Sequence, residues 1–257
     1  RWPNIGMSWG FLALRAESNT NEKDAGRPSR AARDLCTGGT GMDYKAVIFD
    51  FDYTLGDATD AIFAGFRHGF SVMGYPEPDR ETVRHTVGML LEDAYTQLTG
   101  DATEQGRAAF RAQFSSVARP MQAAGTPLCE GAEALLHALR AAGVATAVVS
   151  TKHTETLESI FAQHGLLDVF SFVIGGDKVR RPKPDPEGLN TAVERLGLVP
   201  EQVLYCGDTV IDAGTADNAG TDFCAVLNGT TPAAAFAAFP HVHIAPDLPD
   251  LRRFLGL

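Results

Sequence analysis

The sequence predicts an α/β fold: a Rossmann-like core of parallel strands with helices on both faces, and an all-helical segment inserted after the first strand. Two observations lead to this prediction. From residue 45 onward, short apolar runs alternate with amphipathic helical patterns, which is typical of a parallel sheet covered on both sides. Between Asp57 and about Pro127 this alternation stops, and aromatic residues recur at helical spacing instead.

Five short apolar runs are predicted to be buried strands, because a strand that is covered on both faces carries a continuous hydrophobic segment. They span residues 46–49, 144–149, 172–174, 203–206 and 223–227. One amphipathic helix is predicted before each of the second, third and fourth strands, and each helical pattern ends at a glycine, a residue common at helix C-termini. These glycines are Gly143, Gly165 and Gly197.

Two apolar stripes at helical spacing indicate helices in the inserted segment. One stripe consists of Phe63, Phe66, Phe70 and Met73, and the other of Phe110, Phe114, Val117 and Met121. Such stripes are far more often core than cofactor contacts, so we expect them to form a hydrophobic core of the insert itself. The predicted domains are a helical insert at residues 58–127 and an α/β core formed by residues 42–57 and 128–257.

The first 41 residues differ in composition from the rest of the chain. They contain both tryptophans, Trp2 and Trp9, followed by a polar and glycine-rich stretch that ends at Gly41. We expect residues 1–41 to form a disordered extension without a catalytic role. Met42 directly precedes the first strand and is a candidate start of the native protein, so the status of the extension stays open.

Composition argues against several kinds of partner. The formal net charge of −10 disfavours a nucleic-acid-binding protein, since such proteins usually present a basic patch. No apolar stretch approaches the length of a membrane span. The four cysteines form no paired metal-binding spacing. Cys206 and Cys224 lie in apolar runs and are expected to be buried free thiols, consistent with a reducing cytoplasm.

Two aspartates separated by one residue follow the first predicted strand. Asp50 is the candidate nucleophile that attacks phosphorus and forms an aspartyl-phosphate. Asp52 is the candidate acid and base, which protonates the departing alkoxide and then activates the hydrolytic water. Thr54 either holds Asp52 through its hydroxyl or only stabilises the turn. An isolated Asp-x-Asp more often just caps such a turn, so this assignment depends on three other segments.

Two of those segments carry groups suited to binding phosphate. Ser150 ends the second predicted strand, where its hydroxyl and the nearby amides are candidates for binding a phosphoryl oxygen, and Thr151 competes for that role. Lys183 lies between two prolines that restrict the backbone and aim its side chain. Its charge would offset the repulsion between Asp50 and the phosphate. The alternative is a solvated lysine in a proline-rich surface loop.

The last segment contains Asp208 and Asp212, which follow a strand at helical spacing. Carboxylate oxygens suit Mg²⁺, which usually binds through one or two carboxylates together with water and substrate phosphate. The candidate metal ligands are Asp50, Asp52, Asp208 and Asp212. Of these, Asp50 and Asp208 are favoured as direct ligands, and Asp212 is expected to orient a metal-bound water or Lys183. Alternatively, Asp208 only caps the helix that follows.

With all four segments in this order, residues 43–257 resemble the haloacid dehalogenase superfamily. The motif at residues 207–220 and the one at residues 183–186 are similar to its phosphoglycolate phosphatase-like branch. The resemblance implies a Mg²⁺-dependent phosphatase that hydrolyses small phosphate monoesters through an aspartyl-phosphate. It also implies that the helical insert is a mobile cap, which closes over a small phosphorylated metabolite and excludes water.

Single positions weigh against other branches of the superfamily. Asp52 is the second acid that the dehalogenases lack, and no lysine lies between Gly56 and Glu130, where phosphonatases carry the one that forms a Schiff base. Sugar phosphomutases have a histidine where this chain has Ile62. Tyr53 stands where most members have glycine, and it adds bulk near the hinge of the cap.

Three hypotheses stay open: the phosphatase, a sugar phosphomutase or pyrophosphatase of the same superfamily, and a binding protein that has lost catalysis. The four intact motifs argue against the last of these. The sequence does not identify the substrate, and it leaves open whether the protein is a monomer or a homodimer. His85, Thr86 and Gly88 lie near the expected specificity loop of the cap without a defined role.

Overall fold

The computed structural model describes residues 44–257, which contain a six-stranded parallel sheet. The strands are β1 (Ala46–Phe49), β2 (Ala145–Val149), β3 (Phe172–Ile174), β4 (Val203–Gly207), β5 (Asp222–Val226) and β6 (His243–Ala245). Their order across the sheet is β3-β2-β1-β4-β5-β6, and all neighbours are parallel. The chain thus runs from β1 to one edge and then returns to the other side of β1. Parallel sheets with such a reversal bind ligands at the carboxyl ends of the strands around it.

Nine α-helices lie within the described residues. They are α1 (Thr59–Met73), α2 (Arg80–Arg84), α3 (Leu91–Thr99), α4 (Glu104–Ala124), α5 (Ala132–Ala141), α6 (Thr154–Gln163), α7 (Glu187–Arg195), α8 (Val210–Ala219) and α9 (Leu248–Phe254). The first four form one continuous stretch between β1 and α5, which we call the helical insert. The other five cover the two faces of the sheet.

The core consists of two hydrophobic clusters, one on each face of the sheet. Successive residues of a strand point to opposite faces. Val47 and Phe49 therefore pack with α5, α6 and α9, whereas Ala46 and Ile48 pack with α7 and α8. All four residues of β1 are fully buried. Because β1 packs against helices on both faces and pairs with a strand on each side, the position of the residues that directly follow it is well defined.

The predicted α/β fold and its five predicted strands are confirmed. The sequence-based interpretation stopped at residue 227 and missed β6 and α9. β6 is only three residues long and begins with His243, so it lacks the apolar run that marks the other strands. The predicted extension at residues 1–41, together with Met42 and Cys36, lies outside the described residues.

The helical insert has a hydrophobic core of its own. Phe66 and Phe70 of α1 pack against Phe110 of α4, with ring centroids 5.1 and 5.8 Å apart. Gly69 permits this close approach, because a Cβ there would lie 2.7 Å from the Phe110 ring. Two residues expected in this core lie outside it: Val117 is half-buried, and Met121 is 40% exposed in the last turn of α4, beyond the aromatic cluster.

No helix within residues 44–257 is long and apolar enough to span a membrane. In the same part of the chain, Cys206 and Cys224 are buried free thiols, as the sequence predicts, and Cys129 is a half-buried free thiol.

Candidate active site

The sequence motifs meet at the carboxyl edge of the sheet. Phe49 of β1 lies beside Val148 of β2 and Cys206 of β4. Asp50 and Asp208 follow the ends of β1 and β4, so the register alone brings them to the same edge. The backbone N–H of Asp50 also donates a hydrogen bond to the Cys206 carbonyl, at 2.9 Å. The position of the candidate nucleophile is therefore set by the central strands.

Lys183 lies between Asp50 and Asp212. Its Nζ is 3.1 Å from Asp50 Oδ1 and 2.5 Å from Asp212 Oδ1. It also donates a hydrogen bond to the Tyr205 hydroxyl at 3.2 Å. The Lys183 side chain is only 6% exposed. Three polar groups surround the ammonium, which can donate three hydrogen bonds. The alternative of a solvated surface lysine is therefore wrong.

Thr209, and not Asp208, caps α8. The Thr209 Oγ1 accepts a hydrogen bond from the Asp212 N–H, and the Thr209 hydroxyl donates to Asp212 Oδ2 at 2.6 Å. The Thr209 N–H donates to the same oxygen at 3.2 Å. This capping box holds Asp212 in place and leaves its Oδ1 for Lys183. The alternative in which Asp208 only caps the helix is wrong, since the helix uses the neighbouring threonine.

Asp50, Asp208 and Asp212 form a compact group of carboxylates. One oxygen atom of each lies within 4.8 Å of the other two, and all three residues are buried. The Asp52 carboxylate is not part of this group, because it pairs with Lys152 instead. The structure thus brings together the carboxylates of three of the four predicted metal ligands, and the Asp52 carboxylate lies outside this group.

Burial and mutual repulsion shift the protonation of this group. Burial raises the pKa of Asp50 to about 6, although Lys183 opposes the shift. Burial also raises the pKa of Asp208 well above its usual range, and the charges of Asp212 and Asp50 add to this effect. For Lys183, burial disfavours the charge, but Asp212 and Asp50 outweigh burial and raise its pKa. The lysine therefore stays charged, while the aspartates repel one another.

A divalent cation fits these residues. When all three aspartates are ionised, they and the charged lysine sum to a buried formal charge of −2, which a second cation would balance. The donors are all carboxylate oxygens, the type that Mg²⁺ prefers. Gly229 leaves space beside Asp208, because a Cβ at that position would collide with the Asp208 carboxylate.

Asp52 has a lysine of its own. The Nζ of Lys152 lies 3.1 Å from Asp52 Oδ2, and the two side chains are only 8% and 10% exposed. The other carboxylate oxygen, Oδ1, is buried and has no hydrogen-bond partner among the described residues. Sequence reasoning missed Lys152. Its only signal was its place two residues after Ser150, at the end of β2.

The three hydroxyl residues singled out in the sequence have different surroundings. The Thr54 Oγ1 is buried without a hydrogen-bond partner in residues 44–257, so Thr54 does not hold Asp52 through its hydroxyl. Its backbone N–H instead closes the turn. Ser150 is buried and its side chain lowers the pKa of Asp50, against the larger effect of burial. Thr151 is half-buried and lines a neighbouring cavity.

Tyr53 is the only non-glycine residue with a positive φ among those described, at 54°. The left-handed conformation costs a non-glycine residue about 1–2 kcal/mol. The Tyr53 hydroxyl shares a hydrogen bond of 2.6 Å with Thr59 Oγ1 in α1, and the Arg84 guanidinium of α2 lies 5.8 Å from its ring centroid. The tyrosine therefore connects the loop after β1 to two helices of the insert.

A cavity of about 500 Å³ lies between the helical insert and the carboxyl edge of the sheet. Residues of the sheet side that line it include Asp52, Thr151, Lys152, His153 and Asp177. Residues of the insert that line it include Ile62, Phe66, Thr86, Gly88, Arg111, Phe114, Ser115, Arg119 and Gln122. The cavity thus opens onto the candidate acid and base.

The loop after α2 touches the core at the edge of this cavity. A Cβ at Gly88 would lie 2.9 Å from Thr209 Cγ2, so the Gly88 backbone packs closely against the Thr209 side chain. Thr86 and Gly88 line the cavity, as their place near the expected specificity loop suggested. His85 does not: its side chain is 54% exposed, and its Nε2 lies 3.5 Å from Glu81.

The comparisons with known proteins agree on the family. The model of the haloacid dehalogenase-like hydrolases matches residues 47–226. Phosphoglycolate phosphatase of Vibrio parahaemolyticus is 28% identical over 219 residues, which cover 82% of this chain and 96% of that relative. IndB of Dickeya dadantii, named as a phosphatase, is 33% identical over 178 residues, covering 68% of this chain and 77% of IndB.

A solved structure gives the same result. A protein from Bacteroides fragilis, described as a haloacid dehalogenase-like hydrolase, superposes with a TM-score of 0.79 at 37% identity and covers 81% of this chain and 99% of its own. The family model also spans more than half of the sequence. The chain therefore belongs to the haloacid dehalogenase-like hydrolase family, as its motifs predict.

Proposed function

We propose that the protein is a Mg²⁺-dependent phosphatase that hydrolyses small phosphate monoesters of the phosphoglycolate type through an aspartyl-phosphate on Asp50. One observation carries the proposal. Asp50 is buried 3.1 Å from the ammonium of Lys183 and within 4.8 Å of the Asp208 and Asp212 carboxylates. The phosphatase names of the relatives from Vibrio and Dickeya support the same reaction class.

The first half-reaction transfers the phosphoryl group to Asp50. Its carboxylate attacks phosphorus and forms a new P–O bond, while the bond to the ester oxygen breaks and leaves its electron pair on that oxygen. A proton on Asp52 moves to the leaving oxygen, and Asp52 becomes a carboxylate. Lys183 offsets the negative charge that gathers between Asp50 and the phosphoryl oxygens.

The second half-reaction releases phosphate. Asp52 takes a proton from a water molecule as the water oxygen attacks phosphorus. The bond between phosphorus and Asp50 breaks, which frees inorganic phosphate, restores the Asp50 carboxylate and leaves Asp52 protonated for the next cycle. The hydroxyl of Ser150, next to Asp50, is placed to donate to a phosphoryl oxygen, and Thr151 contributes from the cavity wall.

Mg²⁺ would bind at the group of Asp50, Asp208 and Asp212. When bound, the ion supplies positive charge that stabilises the phosphoryl oxygens and lessens their repulsion by Asp50. The Asp212 oxygens already accept from Lys183 and Thr209. We therefore assign Asp50 and Asp208 as the direct protein ligands and Asp212 as the residue that orients Lys183 or a metal-bound water.

The lining of the cavity favours a phosphatase over a phosphomutase. Ile62, which stands where the phosphomutases have a histidine, lines the cavity and offers no group that could move a proton. The volume of about 500 Å³ lies within the usual range of small-molecule pockets, and the helical insert above it would act as the cap. A sugar phosphomutase or a pyrophosphatase of the same family is the alternative.

The variant Asp50→Asn tests the proposal. We expect its kcat for p-nitrophenyl phosphate with Mg²⁺ to fall at least ~10³-fold, measured as phosphate release, because no nucleophile remains. Circular dichroism would show that the fold is retained. Asp217→Asn, an exposed aspartate of α8, is the matched control and should keep full activity.

Undiminished turnover in Asp50→Asn would refute the aspartyl-phosphate. Two further substrates separate the alternatives. Isomerised sugar rather than free phosphate from hexose 1-phosphates would identify a mutase, and turnover of pyrophosphate without turnover of phosphoglycolate would identify a pyrophosphatase.

A further inference from the structure

Each of the two catalytic aspartates has a separate buried lysine. Lys183 lies 3.1 Å from Asp50 Oδ1, and Lys152 lies 3.1 Å from Asp52 Oδ2. Lys183 also contacts Asp212, whereas Asp52 is the only ion-pair partner of Lys152 in the described part of the chain. The two lysines are therefore not equivalent, and the second pair needs its own explanation.

Stability does not explain the pair of Lys152 and Asp52. Removing two charges from water carries a desolvation cost that their mutual attraction often fails to repay, so apolar residues of similar size would serve a core as well or better. The Lys152 side chain is only 8% exposed, and both residues line the cavity beneath the insert. A costly charged pair at the wall of a substrate cavity indicates a role in the reaction.

The two oxygens of Asp52 have different surroundings. Oδ2 faces the Lys152 ammonium, while Oδ1 is buried and has no hydrogen-bond partner within residues 44–257. The ion pair thus restricts rotation of the carboxylate and leaves one defined oxygen without a protein partner. A buried oxygen without a hydrogen-bond partner destabilises the folded state unless a ligand supplies the missing hydrogen bond.

We propose that Lys152 is the positioning residue for leaving-group protonation: by holding Asp52 Oδ2, it presents Asp52 Oδ1 to the ester oxygen of the substrate. This inference rests on the proposed function, since it assumes transfer of the phosphoryl group to Asp50. The step starts from the acid form of Asp52 that the second half-reaction leaves, with the proton on Oδ1 because Lys152 donates to Oδ2. The proton passes from Asp52 Oδ1 to the ester oxygen as the P–O bond breaks and its electron pair stays on that oxygen. Lys152 gives up no proton and contacts no reacting atom.

Two phosphate esters with different leaving groups distinguish a positioning role of Lys152 from its other possible roles. An alkoxide needs a proton as it departs, whereas p-nitrophenolate is stable as an anion and gains little from an acid. The ratio kcat/KM covers the steps up to leaving-group departure, so it isolates the first half-reaction. Loss of the positioning residue should therefore slow an alkyl ester and spare the aryl ester.

The experiment compares kcat/KM for phosphoglycolate and p-nitrophenyl phosphate in Lys152→Met, Lys152→Arg and Lys45→Met. We expect Lys152→Met to lower kcat/KM for phosphoglycolate by about 100-fold, within the range of general acid catalysis, and to change the aryl ester by less than roughly threefold. Lys152→Arg keeps the charge and should restore most of the loss. Lys45 is exposed and directly precedes β1, at the end of the strand opposite the site, and its variant should match the wild type.

A double-mutant cycle then separates positioning of Asp52 from direct binding of the substrate carboxylate. In an Asp52→Asn background, Lys152→Met should cause no further loss with phosphoglycolate. A further loss there, an equal fall for both esters, or no change for either ester would overturn the inference. If Lys152→Met does not fold, Lys152→Gln takes its place, with the same comparison of kcat/KM between the two esters. If the wild-type protein hydrolyses neither ester, the proposed function itself is refuted.

Discussion

The carboxylate group at the strand ends and the cavity beneath the helical insert are adjacent, but they are built in different ways. In the first, Asp50, Asp208 and Asp212 are buried around Lys183. In the cavity, apolar side chains alternate with exposed arginines such as Arg119. The first region is suited to one reaction on one phosphoryl group, and the second to selecting what is attached to it.

The difference follows from which elements carry each region. Asp50 and Asp208 follow β1 and β4, which are buried on both faces and paired with neighbours on both sides, and Asp212 is held by the capping box of α8. The insert side of the cavity is carried by surface helices that meet the core at a few places, among them Gly88 against Thr209 and Arg84 against Tyr53. Rigid strands fix the chemistry, and the helices above them can vary the substrate without disturbing it.

The largest effect is expected in the carboxylate group. Asp208→Asn should lower kcat by ~10²–10³-fold for every substrate, because charge stabilisation at the phosphoryl group is weakened. It should also raise the melting temperature of the metal-free protein. Folding raises the pKa of Asp208, so the folded state favours the protonated carboxyl. As pH rises, the folded state has to bury an ionised carboxylate, which lowers the free energy of unfolding at neutral pH.

The pH dependence gives the check on Asp208. In EDTA, the stabilisation by Asp208→Asn should be greater at pH 8 than at pH 5, and added Mg²⁺ should raise the melting temperature of the wild type much more than that of the variant. Asp217→Asn on the surface of α8 serves as the control. A variant that responds to Mg²⁺ as strongly as the wild type would show that Asp208 is not a ligand.

Sequence reasoning works better for the carboxylate group than for the cavity, for a physical reason. Asp50 and Asp208 directly follow apolar runs, and the carboxyl ends of parallel strands share one edge, so their convergence is predictable. The spacing of aromatic residues predicts α1 and α4 but not how these helices dock on the core. Arg119 and the pair of Lys152 with Asp52 depend on that docking and on side-chain packing, which local patterns do not encode.

The next largest effect concerns the core of the insert. Phe110 is fully buried and stacks on Tyr95 at a centroid distance of 4.8 Å. Phe110→Ala should lower the free energy of unfolding by about 3–5 kcal/mol. Hydrogen exchange should show lost protection in α1 and α4, with β1 and β4 little changed, if the insert opens separately from the sheet.

Phe236→Ala is the matched control for this experiment, because Phe236 is equally buried but packs on the sheet. Phe236→Ala should lower the free energy of unfolding by a similar amount and reduce hydrogen-exchange protection in the sheet. If both variants lowered protection uniformly along the chain, the insert and the sheet would form a single cooperative unit, and the contrast between the two regions would apply to chemistry but not to stability.

The smallest effect is expected at the outer cavity wall. Arg119 is exposed and has no ion pair within residues 44–257, whereas Arg111 of the same helix is paired with Glu92 at 2.6 Å. Arg119→Ala should raise KM for phosphoglycolate by about two- to fivefold, as expected for an exposed charge contact, and leave KM for p-nitrophenyl phosphate unchanged. Arg111→Ala should change neither KM, because the Arg111 guanidinium is already paired with Glu92. An equal change for both esters would assign Arg119 to the phosphoryl group, and the division between reaction and selection would then not hold.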